Sequence, residues 1–141
     1  MPGTSAAVTA NPKQVVLNFF EALSNITTDP ENFVNLFAED MRFRAGGTTI
    51  FSGEVQGRDN FMALLARLGE PIDGFIELDL ERLIDGGDWI ATEAQGASML
   101  KSGQAYNNRY VHFWRVADGQ IVELIEFFDT ALVDRMFGPR T

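Results

Sequence analysis

The chain contains no cysteine and only one histidine, His112. Disulfides, thiolate metal centres and a cysteine nucleophile are thereby excluded. One histidine among scattered carboxylates also lacks the ligand spacing of a metal site, so neither metal nor cofactor is expected. Basic residues are few: eleven Lys and Arg stand against twenty Asp and Glu, a formal net charge of −9. They form no run that could track phosphates, and neither nucleic acid nor an anionic membrane is an expected partner. No apolar stretch reaches the length needed to span a bilayer. The opening MPGTSAAVTANPK lacks a basic segment followed by an apolar one, so no secretory signal is read there and the expected location is the cytoplasm.

What remains is an ordinary globular composition. The 141 residues are 45% hydrophobic and 22% charged, which suits one domain with a core of normal size. Twelve phenylalanines against two tyrosines and two tryptophans imply a bulky, dry interior. Residues 1–10 are small and polar and read as a flexible tail, leaving residues 11–141 as a single domain.

Helical signals come first along the chain. Asn11 as N-cap, Pro12 at the first position and Gln14 three residues on open a helix with Val16, Phe19, Phe20 and Leu23 inward. Thr28-Asp29-Pro30-Glu31 opens a second, with Phe33, Leu36 and Phe37 inward and Glu39-Asp40 as its end. A strand over 41–44 and a glycine-marked loop or short hairpin follow. A third helix begins after Gly57, carries Phe61, Leu64, Leu65 and Leu68, and stops at Gly69-Glu70-Pro71. Beyond Pro71 the period switches to two. Strands over 75–84, 89–99, 106–117 and 120–129 give a meander of four antiparallel strands packed on three N-terminal helices, an α+β fold. Thr130 to Phe137 reads as a short closing helix or extension.

The last strand pair carries the chemistry. Asp118-Gly119 is a dipeptide favoured where both central turn residues need positive φ. With Ala117 and Gln120 flanking that turn, strict pairing puts Trp114 opposite Glu123, His112 opposite Ile125, Tyr110 opposite Phe127 and Asn108 opposite Asp129. Alternation then places Tyr106, Asn108, Tyr110, His112, Trp114, Phe127 and Asp129 on one face. Aromatic walls with an amide, a histidine and a carboxylate resemble the lining of a small-molecule pocket. Glu126, Arg109 and Arg115 fall on the outer face with Val111, Phe113, Val122, Leu124 and Phe128. Burial among aromatic rings would raise the Asp129 pKa and make it a base near neutral pH, with Asn108 orienting it and His112 as acid, base or hydrogen-bond donor. Asp129 before Thr130-Ala131-Leu132 also reads as a helix N-cap, and the two roles can coexist.

The segments VVLNFFEAL at 15–23, FVNLFAEDMRF at 33–43 and DGQIVELIEFFD at 118–129, with the element order, resemble the nuclear-transport-factor-2-like superfamily, and within it the SnoaL-like and ketosteroid-isomerase-like small proteins. The resemblance covers roughly residues 12–134. It implies a cone-shaped curved antiparallel sheet closed by the three helices around a deep hydrophobic pocket, and homodimers formed through the outer sheet face. Fold alone does not fix activity. The position of the ketosteroid isomerases' helix-one tyrosine is Phe19 here, their base aspartate falls near Ala45, and their second oxyanion acid is replaced by His112. Steroid isomerisation by that mechanism is therefore not expected.

Limonene-epoxide hydrolases are similar at Asp129, but ATEAQGASM holds no Arg-x-Asp, and only Glu93 or Gln95 offers a partial substitute. SnoaL-type cyclases use a pocket carboxylate with polar neighbours, a role the resemblance gives to Asp129 with His112 and Asn108. The favoured expectation is cofactor-independent proton transfer (lyase, isomerase or cyclase) on a small apolar oxygenated compound. Asp129 and His112 are its catalytic residues, and Asn108, Tyr110, Tyr106, Trp114, Phe127 and Phe19 bind the substrate. A non-catalytic binding module for an apolar ligand and a limonene-epoxide-hydrolase-like hydrolase are the alternatives.

Overall fold

The computed structural model of the protein describes residues 11–141, so the expected tail at 1–10 lies outside the described residues. Helix α1 spans Pro12–Ser24, and the Asn11 side chain accepts the Gln14 N–H at 3.2 Å, the cap read from sequence. Helix α2 spans Pro30–Val34 with Asp29 capping the Asn32 N–H. It ends earlier than the helical spacing of Leu36 and Phe37 implies. Phe37 instead begins strand β1, Phe37–Ala45, because it pairs with Ile121 far along the chain. Strand β2 is Gly53–Gln56, and α3 is Arg58–Gly69.

Strands β3 (Ile72–Asp85), β4 (Trp89–Leu100), β5 (Arg109–Ala117) and β6 (Gln120–Phe128) form the antiparallel meander, and α4 closes the chain over Thr130–Phe137. One sheet holds all six strands in the order β2-β1-β6-β5-β4-β3. The fold is α+β as expected, with one addition to the antiparallel meander. β1 pairs parallel to β6 at the side away from β4, and β2 pairs antiparallel to β1.

The three N-terminal helices lie against one face of this sheet. Phe19 packs on Trp114 with ring centroids 4.5 Å apart, and Phe33, Phe37, Phe61 and Phe43 continue a chain of rings 5.0–5.4 Å apart. Each fully buried phenylalanine of this kind contributes roughly 2 kcal/mol of burial free energy. At the far end, Tyr106, Ile72, Leu100 and Val133 form a second buried cluster under α4. Most of the twelve phenylalanines lie in this inner layer.

The β5–β6 hairpin turns at Asp118 and Gly119, with φ of 53° and 77°, as the dipeptide requires. Its register departs from strict pairing. Val116 pairs with Ile121 but Arg115 pairs with Glu123, leaving Val122 as an extra residue in β6. This β-bulge shifts every later partner by one. Trp114 faces Leu124, His112 faces Glu126 and Tyr110 faces Phe128. The gain is electrostatic: Glu123 leaves the side of Trp114 and turns to the outer face, within 3.4 Å of Arg115 Nε and beside Arg42 of β1.

Candidate functional site

Between the concave sheet face and the helices lies a cavity of about 250 Å³. Phe19 and Leu23 of α1, Phe61 and Leu65 of α3, Ile76 of β3 and Phe137 of α4 supply apolar wall. The polar corner comes from Tyr106, Tyr110, His112 and Glu126. Tyr110 and His112 share the inner face of β5, with rings stacked at an interplanar angle of 8° and 5.8 Å apart. Gly96 of β4 makes room for this wall, since a Cβ there would lie 2.8 Å from both the Tyr110 ring and the Asn108 carbonyl.

His112 is 2% exposed, and its Nε2 lies 2.9 Å from Glu126 Oε2. An ionised carboxylate only accepts, so in that state His112 Nε2–H donates its hydrogen bond to Glu126 Oε2, which holds the ring in one tautomer. His112 Nδ1 is buried with no hydrogen-bond partner among the described residues. The Glu126 side chain retains 22% of its surface accessible. The Tyr106 hydroxyl accepts a hydrogen bond from Asn108 Nδ2 at 3.0 Å. Burial, ahead of any other cause, pushes both the Tyr106 and Tyr110 phenols above their ordinary pKa, and the Glu126 charge adds to the rise in each.

The expected inner-face residues of the hairpin divide accordingly. Tyr110, His112 and Trp114 are buried as the alternation of β5 implies, and Tyr106 and Asn108, which precede the strand at Arg109, are buried with them. Phe19, Tyr106, Tyr110 and His112 line the cavity. Trp114 does not: it sits behind Phe19 with its Nε1–H donated to Thr92 Oγ1 at 2.8 Å. Asn108 is a structural clamp. Its Oδ1 accepts the N–H of Arg109 and of Asp129, and its Nδ2 also donates to the Asp129 carbonyl.

Two expected site residues move out of the cavity because of the bulge. Phe127 lies on the outer face, 42% exposed and packed edge-on against Phe113. Asp129 is exposed, and its carboxylate caps α4 by accepting the Leu132 N–H at 3.1 Å. It is neither desolvated nor aimed at His112, so its expected role as a buried base loses its geometry. Conversely, Glu126, Leu124 and Phe128, expected outside, line the cavity. Arg109 is on the outer face as expected, joined to Glu81 and Glu93. Glu93 and Gln95 are thus not cavity residues, and no arginine lines the cavity among the described residues.

Glu126 had one signal in the sequence. Strict pairing sets Glu123 against Trp114 in a dry core with no partner, a conflict that a one-residue bulge removes.

Among the described residues, no cluster of three or more His, Asp or Glu side chains could hold a metal, and no helix is long and apolar enough to cross a membrane. Among solved structures, the chain is similar to an NTF2-like protein from Burkholderia thailandensis E264 at 27% identity and a TM-score of 0.78, covering 92% of this chain and 98% of that one. It is also similar to an NTF2-like protein of unknown function from Burkholderia pseudomallei K96243, at 23% identity, a TM-score of 0.78 and coverage of 89% and 95%. A third, described as a candidate SnoaL-like polyketide cyclase from Jannaschia sp. CCS1, is 19% identical with a TM-score of 0.77 and coverage of 92% and 93%. These likenesses are of fold. No curated protein matches the chain. The SnoaL-like domain profile matches residues 16–124, well over half of the chain, and the chain belongs to that family.

Proposed function

We propose that this SnoaL-like protein is a cofactor-independent proton-transfer enzyme acting on a small apolar compound, with Glu126 as the base and His112 as its partner. The observation that carries this reading is the 2.9 Å contact between His112 and Glu126 at the polar corner of an otherwise apolar cavity. A carboxylate fixed by one histidine and open on its other side can take a proton from carbon beside a carbonyl. The Tyr106 and Tyr110 phenols, held protonated by burial, are donors for the oxygen on which negative charge develops. An epoxide-hydrolase set of two aspartates and an arginine is not supported, because Glu126 is the only acidic or basic side chain, histidine aside, among the described lining residues. The binding-module reading keeps one observation in its favour, the predominance of phenylalanine and leucine in the wall.

The test is exchange chemistry. Neutral apolar ketones with an acidic α-hydrogen are incubated with the protein in deuterated water and followed by NMR. Catalysed exchange is expected, reduced by about 10²- to 10⁴-fold in Glu126→Gln. No catalysed exchange across such a panel, with the ketones bound, favours the binding module.

Two copies pair through the outer sheet face in this proposal. Val111 and Phe113 are 37% and 38% exposed there as expected, and Phe127, 42% exposed, stands where strict pairing put Leu124 and Phe128. Light scattering at micromolar concentration should return about twice the 15.7 kDa chain mass. A value of one chain mass would refute the dimer.

A further inference from the structure

The charge inventory of the cavity has a consequence for what it admits. Among the described residues lining it, Glu126 is the one carboxylic acid, and no Lys or Arg reaches the wall. His112 occupies Oε2, whereas Oε1 has no hydrogen-bond partner among the described residues, and the side chain stays partly accessible. Two aromatic residues neighbour Glu126 in the sheet. Phe128 lies two residues along the same face of β6, and Tyr110 lies diagonally across on β5, with these two rings 6.3 Å apart. Ala45, with only a methyl side chain, is the partner of Glu126 on the β1 side. Eight phenylalanines and two tyrosines line the cavity among the described residues.

A carboxylate beside aromatic rings in an apolar cavity can recognise an ammonium group, by Coulomb attraction and by the negative faces of the rings. An anion placed there would meet Glu126 in a poorly hydrated space with no cation to offset the repulsion. The chain's net charge of −9 acts in the same direction at longer range.

We infer that the cavity selects ligands by charge: it accepts hydrophobic amines in their protonated form, with the ammonium on Glu126 Oε1 beside Tyr110 and Phe128, and it excludes carboxylates and phosphate esters of the same size. The apolar body of the amine fills the space bounded by Phe19, Phe61 and Leu65. This selectivity rests on the position of Glu126 and not on its acting as a base, so it stands or falls separately from proton transfer.

Calorimetric titration with three probes of one shape tests it: 2-naphthylmethylamine, 2-naphthylmethanol and 2-naphthoate at neutral pH. The expected order is amine at least tenfold tighter than alcohol, with no detectable binding of the carboxylate. Glu126→Gln should bring amine and alcohol to within about twofold of each other. Carboxylate binding as tight as the amine, binding by none of the three, or an amine preference that survives Glu126→Gln would each overturn the inference. The wild-type order alone is decisive should the variant fail to fold. Amine selectivity without ketone exchange would leave this inference intact and remove the enzymatic reading, and exchange without amine selectivity would do the reverse.

Discussion

His112 and Glu126 stand directly opposite each other on β5 and β6, Nε2 to Oε2 at 2.9 Å, and they do so because Val122 is an extra residue in β6. Remove that bulge and Glu126 turns to the outer face. The site therefore depends on a backbone irregularity near the hairpin turn, four residues before Glu126.

Asp129 serves α4 in this account. Asp129→Ala removes the acceptor for the Leu132 N–H and should cost about 1 kcal/mol of stability, whereas Asp129→Asn should cost much less. Urea unfolding midpoints of the two variants measure the difference. Equal, large losses in both would mean that the carboxylate charge, not the cap, matters.

Gly96 is required by contact rather than by φ. An added Cβ would meet the Asn108 carbonyl, which is backbone and cannot swing aside, and the Tyr110 ring, each at 2.8 Å. Gly96→Ala should destabilise the protein by roughly 1–3 kcal/mol through overpacking, and should weaken cavity binding by displacing Tyr110. Unchanged stability and unchanged affinity together would show that β4 and β5 lie further apart than described.

The tyrosines give a pH signature. Tyr106 and Tyr110 are the only two in the chain, and burial raises the pKa of both. The folded protein then keeps protons that the unfolded chain sheds above about pH 10, the ordinary tyrosine value. Their contribution to stability is complete below that pH and declines as pH rises beyond it. In an alkaline titration, tyrosinate absorbance should appear together with unfolding. Both phenols ionising near pH 10 in a chain still folded by circular dichroism would contradict the burial.

Much of the fold is legible in the residues, and the reason is local. Asn11 and Asp29 cap their helices with side chains three positions from their partners, Asp118-Gly119 sets its own turn, and the inner face of β5 follows from alternation. Around Asp129 the residues allow both a cavity base and a helix cap, and its neighbours fulfil the cap. The parallel pairing of β1 with β6 is non-local, joining Phe37 to Ile121, and no periodicity within either segment encodes it. The bulge is harder still. β6 is apolar at Ile121, Val122, Leu124, Ile125, Phe127 and Phe128, so both of its faces pass for an inner face, and counting by two cannot reveal an inserted residue. What distinguishes the registers is where the two glutamates go. One arrangement sends Glu123 to Arg115 and Glu126 to His112, and the other strands Glu123 against Trp114.

The most direct test of the account neutralises each carboxylate in turn and compares rates of α-hydrogen exchange on the same ketone in deuterated water. Glu126→Gln should lose about 10²-fold or more of the wild-type rate, the usual contribution of a general base, while Asp129→Asn stays within about a factor of two. A folded Glu126→Gln that exchanges at the wild-type rate, with Asp129→Asn inactive, would contradict the assignment of Glu126 as the cavity base.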